Sequence, residues 1–188
     1  MSLTPQPGDA LLIVDLQNDF LPGGALAVPN GEAVIAPLNA AIAAFEAHQL
    51  PIIATRDWHP QDHISFAAQG GPWPPHCMAG TAGAAFTDAL KLPPSAIVIS
   101  KADTPEVDAY SGFQGTELAA LLCAKGVKRL LVGGLATDYC VLNTVLDGLA
   151  AGFEVVLLED AMRAVEVQPG DGAAALARMY AEGARAAA

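Results

Sequence analysis

A chain of 188 residues with 20 acidic and 9 basic side chains carries a formal net charge of −11, which excludes the basic surface that nucleic acid or an anionic membrane requires. Its 53% hydrophobic residues suit one compact domain over residues 1–188, and no apolar run approaches the roughly 20 residues that cross a bilayer. Three cysteines make no disulfide framework, and residues 1–8 have neither a basic start nor an apolar signal core, so a reducing, cytoplasmic setting is expected.

Along the chain, short runs rich in Val, Ile and Leu alternate with helical patterns. Residues 10–14 form the first apolar run, and residues 32–48 the first helical stretch. Further runs fall at 51–54, 96–99, 129–132 and 154–158. The remaining helical stretches are 116–125, 138–151 and an Ala-rich tail after Pro169, where Leu176, Met179 and Tyr180 favour docking over fraying. Thr116 is placed as an N-cap, and Gly126 and Gly152 as C-terminal caps. This alternation predicts a three-layer α/β/α fold around a mostly parallel sheet of roughly six strands. Residues 59–85, rich in Gly, Pro and aromatics, form the one long irregular stretch, and such loops are often functional.

Ligands of open parallel sheets bind beyond the carboxyl ends of the strands. Asp15 ends the first strand, Thr55-Arg56-Asp57 the second, Ser100-Lys101 the third, and the turn from Gly133 to Cys140 the fourth. Taken singly, Asp15 is a turn cap, Lys101 a solvated strand end and Cys140 a packed helix residue. Together on one edge they form a nucleophile, a proton acceptor and a fixed cation. Cys140 falls in a first helical turn, where the helix dipole and Lys101 are expected to favour its thiolate. Cys123 belongs to an apolar helical pattern and is expected in the core, and Cys77, which lacks the strand–turn–helix setting, is structural.

Three of the four histidines lie between residues 59 and 76. Asp57 and His59, one residue apart at a strand end, project the same way and can share one ion, and His76 can close the set from the loop. One carboxylate with two or three imidazoles suits Zn²⁺, Fe²⁺ or Mn²⁺ and leaves positions open for water or substrate. His63 lies in the same stretch, although three ligands already suffice. Exposed loop histidines without a metal are the plainer alternative. His48, ending a helical pattern, acts as a C-terminal cation.

The phrases Val14-Asp15-Leu16-Gln17-Asn18-Asp19-Phe20, Thr55-Arg56-Asp57-Trp58-His59-Pro60, Trp73-Pro74-Pro75-His76, Lys101, Tyr110-Ser111-Gly112-Phe113 and Gly134-Leu135-Ala136-Thr137-Asp138-Tyr139-Cys140 run in one order over most of the chain. This arrangement resembles the nicotinamidase/pyrazinamidase branch of the isochorismatase-like cysteine hydrolases. The resemblance implies metal-dependent hydrolysis of nicotinamide to nicotinate and ammonia, and of pyrazinamide likewise, through a thioester on Cys140. By the same resemblance Asp15 is the base, Lys101 the third triad member, and the backbone N–H groups of Ala136 and Cys140 the oxyanion hole. It assigns Asp57, His59 and His76 to one divalent ion, with His63 a fourth ligand in some members. Phe20, Trp73, Tyr110 and Ala136 become the substrate pocket, and the Leu135–Ala136 peptide bond is expected to be cis. A carbamoyl or ureido amide would use the same triad without the histidines, and a catalytically inactive metabolite-binding module would keep the scaffold alone. The sequence leaves a homo-oligomer open.

Overall fold

A computed structural model describes residues 4–187; Met1, Ser2 and Leu3 at the start of the N-terminal segment and Ala188 at the end of the Ala-rich tail lie outside the described residues. The strands are β1 (Asp9–Val14), β2 (Ile52–Asp57), β3 (Ile97–Lys101), β4 (Arg129–Leu135), β5 (Glu154–Arg163) and β6 (Arg185–Ala186). The helices are α1 (Ile35–Ala47), α2 (Leu118–Ala124), α3 (Leu142–Ala150) and α4 (Asp171–Ala181). Every strand pair is parallel, in the order β3-β2-β1-β4-β5-β6. The chain thus winds outward from β1 through β2 and β3, then crosses to the other side of β1 to begin β4. That reversal puts the topological switch between β1 and β4, where a crevice opens beyond their carboxyl ends.

Strand periodicity divides β1 between two cores. Leu11 and Ile13 pack with Leu38, Ile42 and Phe45 of α1 on one face. Leu12 and Val14 pack on the other with Leu122 of α2, Val145 of α3 and Met179 of α4. All six residues of β1 are buried, as a central strand covered on both faces must be. The Ala-rich tail docks through Ala175 and Met179 of α4, as its pattern predicts, and then adds the short strand β6.

Several boundaries differ from the sequence expectation. Gly133 and Gly134, expected as a turn, belong to β4 and pair with Ile13 and Val14. A Cβ on Gly134 would stand 2.1 Å from the Val14 carbonyl oxygen, so glycine serves close strand approach here. The first helical stretch opens with a 3₁₀ turn at Gly31–Val34 before α1. Thr116 lies two residues before α2 and accepts the Leu118 N–H at 3.3 Å. Strand β5 runs five residues past its apolar core, with a register shift against β4, and delivers residues 162–165 to the switch-point edge. Among the described residues, no helix is long and apolar enough to cross a membrane.

Candidate functional site

Four strand ends converge on one side chain. The Lys101 ammonium, closing β3, lies 2.5 Å from Asp57 Oδ1, 2.9 Å from Asp15 Oδ2, 3.2 Å from the Ala109 carbonyl and 3.5 Å from Cys140 Sγ. Asp15 follows β1 with φ of +49°, a left-handed step that takes the chain out of the sheet. Its two oxygens differ in environment. Oδ1 accepts a 2.7 Å hydrogen bond from the Thr55 hydroxyl, whereas Oδ2 is close to the ammonium but outside hydrogen-bonding geometry. Oδ2 is therefore a buried acceptor with capacity to spare, and one oxygen each of Asp15 and Asp57 lies with Cys140 Sγ in a group no more than 4.8 Å across. Asp15, Lys101 and Cys140 are all buried.

Burial controls the protonation of this group. It pushes the Cys140 thiol well above its ordinary range; Lys101 opposes that shift, and the Asp15 and Asp57 carboxylates reinforce it. The resting thiolate expected from the turn and the lysine is thus not what this environment favours. Loss of water and the two carboxylates work against the thiolate, and one ammonium works for it, with Asp15 beside the thiol as a proton acceptor. Burial also raises Asp15, with Lys101 and the Thr55 hydroxyl pulling the other way. For Lys101, burial works against the charge, but Asp15 and Asp57 outweigh it and hold the ammonium protonated.

Cys140 sits in a single π-helical turn, Thr137–Val141, that precedes α3 and follows a cis Leu135–Ala136 peptide bond. The Ala136 carbonyl accepts the Tyr139 and Val141 N–H groups, which folds the turn back on β4.

Asp57 faces two ways. Its Oδ1 takes the ammonium, while Oδ2 lies 3.6 Å from His59 Nε2 and 4.0 Å from His76 Nε2. Each ring is held from behind: His59 Nδ1 lies 3.0 Å from the Ala102 carbonyl and His76 Nδ1 2.8 Å from the Pro74 carbonyl. A carbonyl at Nδ1 demands a proton there and turns the Nε2 lone pair toward Asp57, the outer-shell arrangement of a metal-binding imidazole. Burial works to lower the His59 pKa and the Asp57 carboxylate more than offsets it, so Nε2 lies where a positive charge, proton or cation, is favoured. Burial lowers His76. The buried set Asp57, His59 and His76 thus fits a divalent ion on chemical grounds, with nitrogen and oxygen donors, no thiolate and room for further ligands.

His63 is not drawn into that group. Its ring stacks on His59 at 4.1 Å between centroids, but Nδ1 meets the Ser65 hydroxyl at 2.7 Å and Nε2 the Val107 carbonyl at 3.2 Å.

A pocket lies over both arrangements. Cys140, Ala136, Asp57 and His76 all line it, so thiol and imidazole open on one space. Phe20, Trp73 and Tyr110 line it as the resemblance implies, with the Trp73 indole N–H donating to the Tyr110 hydroxyl at 3.0 Å. Sequence reasoning missed Leu26, Val28, Tyr139 and Val165 in the same wall. Tyr139 packs edge-on against Trp73 at 5.1 Å, and Val165 is tethered by its N–H to the Asp138 carboxylate at 2.9 Å. The position of Tyr139, beside Cys140 at the head of the turn, was the available signal for its role. The aliphatic residues carried none.

The isochorismatase domain family matches residues 9–188. A nicotinamidase of Escherichia coli is 41% identical, over 95% of this chain and 93% of its own. Among solved structures, the pyrazinamidase of Pyrococcus horikoshii in complex with zinc is similar with a TM-score of 0.92 and 49% identity, over 96% of this chain and 99% of that one. PnC1 from L. infantum in complex with nicotinate gives a TM-score of 0.91 at 39% identity, over 100% of this chain and 96% of that one. With the sheet order, the site at the switch point and these likenesses in agreement, the chain belongs to the isochorismatase family, on its nicotinamidase/pyrazinamidase branch.

Proposed function

We propose that the protein hydrolyses nicotinamide to nicotinate and ammonia, and pyrazinamide likewise, with Cys140 as nucleophile. The observation that carries this reading is the shared pocket, whose lining includes both the Cys140 thiol and members of the carboxylate–imidazole set. A flat aromatic amide with a ring nitrogen meta to its carboxamide, as both of these have, offers an electrophilic carbon for the thiol and a lone pair for a cation on the carboxylate–imidazole set. The nicotinamidase and pyrazinamidase relatives support the choice of substrate.

In this scheme Asp15 Oδ2 accepts the Cys140 proton as Sγ attacks the amide carbon, and Lys101 holds the charge that forms. Backbone N–H groups of Ala136 and Cys140 steady the oxyanion. Asp15 returns the proton to the departing nitrogen, which leaves as ammonia and forms the thioester. It then takes a proton from water as the water attacks that thioester, releasing nicotinate and restoring the thiol. Aromatic and aliphatic walls keep other water away from the thioester.

Asp57, His59 and His76 would hold one divalent ion, with His63 buttressing His59. Such an ion supplies a Lewis acid for the ring nitrogen and so fixes the orientation of the ring. The zinc complex of the pyrazinamidase relative makes Zn²⁺ the first ion to test, and the donor set also suits Fe²⁺ and Mn²⁺.

Ammonia release from nicotinamide, measured before and after chelation, tests the reading. Chelation is expected to raise KM about tenfold or more, roughly 1.4 kcal/mol of binding, while iodoacetamide still alkylates Cys140 at a similar rate. Loss of alkylation with substrate binding intact would reverse the division of labour. Full turnover of a ureido amide by metal-free protein, with none of nicotinamide, would move the substrate elsewhere in the family.

A further inference from the structure

We propose that Gln17 is a positioning residue that locks Asp57 between the imidazole pair and Lys101, and thereby sets the affinity of the donor set for its cation. This rests on the metal assignment made above and goes beyond it in naming what builds the site.

The argument begins with a gap in the sheet. The β1–β2 ladder ends its register at Ile13 and Ala54, with one further bond from the Asp15 N–H to the Thr55 carbonyl. The left-handed turn at Asp15 then carries the chain away from β2. Asp57, still paired with Lys101 of β3 on its other side, has no β1 backbone beside it. Its N–H and C=O would be buried without partners, and buried backbone groups left unpaired are destabilising.

The side chain of Gln17 fills the gap. Its Oε1 accepts the Asp57 N–H at 2.8 Å, and its Nε2 donates to the Asp57 carbonyl at 2.8 Å. Those two bonds reproduce the exchange made by a hydrogen-bonded pair of antiparallel residues. The remaining Nε2 hydrogen goes to the Ala84 carbonyl at 2.8 Å, which ties in the loop behind the site. Gln17 is 0% exposed, and both amide hydrogens are spoken for.

What this clamp holds is a carboxylate with a divided task. Asp57 Oδ1 meets Lys101 at 2.5 Å while Oδ2 faces His59 at 3.6 Å and His76 at 4.0 Å. A small rotation of the Asp57 backbone would favour one side at the expense of the other. Gln17 also receives no metal, substrate or proton itself. It reaches the donor set through the Asp57 backbone, with the Ala84 carbonyl as its second anchor.

The test is Zn²⁺ affinity, by competition with a chromophoric chelator, for the wild-type protein and Gln17→Met, which matches the side chain in length and removes all three bonds. Affinity is expected to fall about 10–100-fold, the usual effect of losing an outer-shell partner. Asn39→Leu is the matched control. Asn39 makes a similar amide clamp, donating to the Ala89 carbonyl at 2.9 Å and accepting the Lys91 N–H at 2.8 Å, outside the donor set. It should lower Tm without changing Zn²⁺ affinity. If Gln17→Met does not fold, Gln17→Glu replaces it: the acceptor for Asp57 N–H survives, but the second oxygen repels the Asp57 and Ala84 carbonyls, and the same loss is expected. Undiminished Zn²⁺ affinity in a folded Gln17 variant overturns the proposal and leaves the metal assignment standing. A wild-type protein that binds no Zn²⁺, Fe²⁺ or Mn²⁺ overturns both.

Discussion

Cys140→Ala is expected to abolish ammonia release from nicotinamide, with turnover falling on the order of 10⁴-fold or more when metal content is matched to the wild type. The pocket offers no second thiol to take over. Cys77 is fully buried in the α1-side core, where burial first and the nearby carboxylates next push its thiol far above the useful range. Cys123, expected in the core, is instead exposed, because α2 buries Leu118 and Leu122 and turns Cys123 outward on the other face of the sheet. The substitution removes one sulfur atom and leaves the Asp57, His59 and His76 donors untouched, so Zn²⁺ affinity should hold. That combination separates nucleophile from metal: the variant should still bind nicotinamide while releasing no ammonia. Turnover near the wild-type rate would move the attack to a metal-activated water and make Cys140 a packing residue.

Much of the site could be read from sequence because the chemistry hangs on strand ends. An Asp directly follows one apolar run, a Lys closes another and a Cys sits in the turn after a third, and a parallel sheet brings such ends to one edge. The same logic placed Asp57 and His59 on one side. What sequence reasoning could not supply was anything set by contacts between distant residues. Gln17 lies in the phrase that carries Asp15, yet its partners are 40 and 67 residues away. The turn and the lysine that favour a Cys140 thiolate are local signals, whereas the desolvation and the Asp57 charge that oppose it come from the folded surroundings. His63 has the right side chain in the right loop, but Ser65 and Val107 occupy its nitrogens. The Gly133-Gly134 pair is equally the signature of a turn and of two strands in close contact; only the Val14 carbonyl against Gly134 distinguishes them.

Lys101→Met should be the most destabilising single substitution at the site. In the wild type one ammonium, 1% exposed, serves two buried carboxylates. Methionine keeps most of the aliphatic stem but leaves Asp15 and Asp57 facing each other without a cation. Breaking a buried ion pair from one side costs about 3–5 kcal/mol near neutral pH, and turnover should fall about 10²–10³-fold with the loss of a fixed stabilising charge. The pH dependence identifies the cause. Burial already raises Asp15 against the pull of Lys101, so removing the lysine raises it further, and Asp57 loses the charge that counts most in holding it low. A folded-state pKa above the unfolded value adds stability that is fully present below the unfolded pKa and is lost as pH rises through the folded one. The deficit of Lys101→Met should therefore be small at about pH 5 and grow toward about pH 8, measured by urea unfolding in the presence of chelator. Zn²⁺ should restore part of it, because a cation on Asp57 removes one of the two uncompensated charges. A deficit that stays constant with pH would mean that the stem of Lys101, rather than its charge, holds this corner of the fold, and the ammonium would then lose its place at the centre of the site.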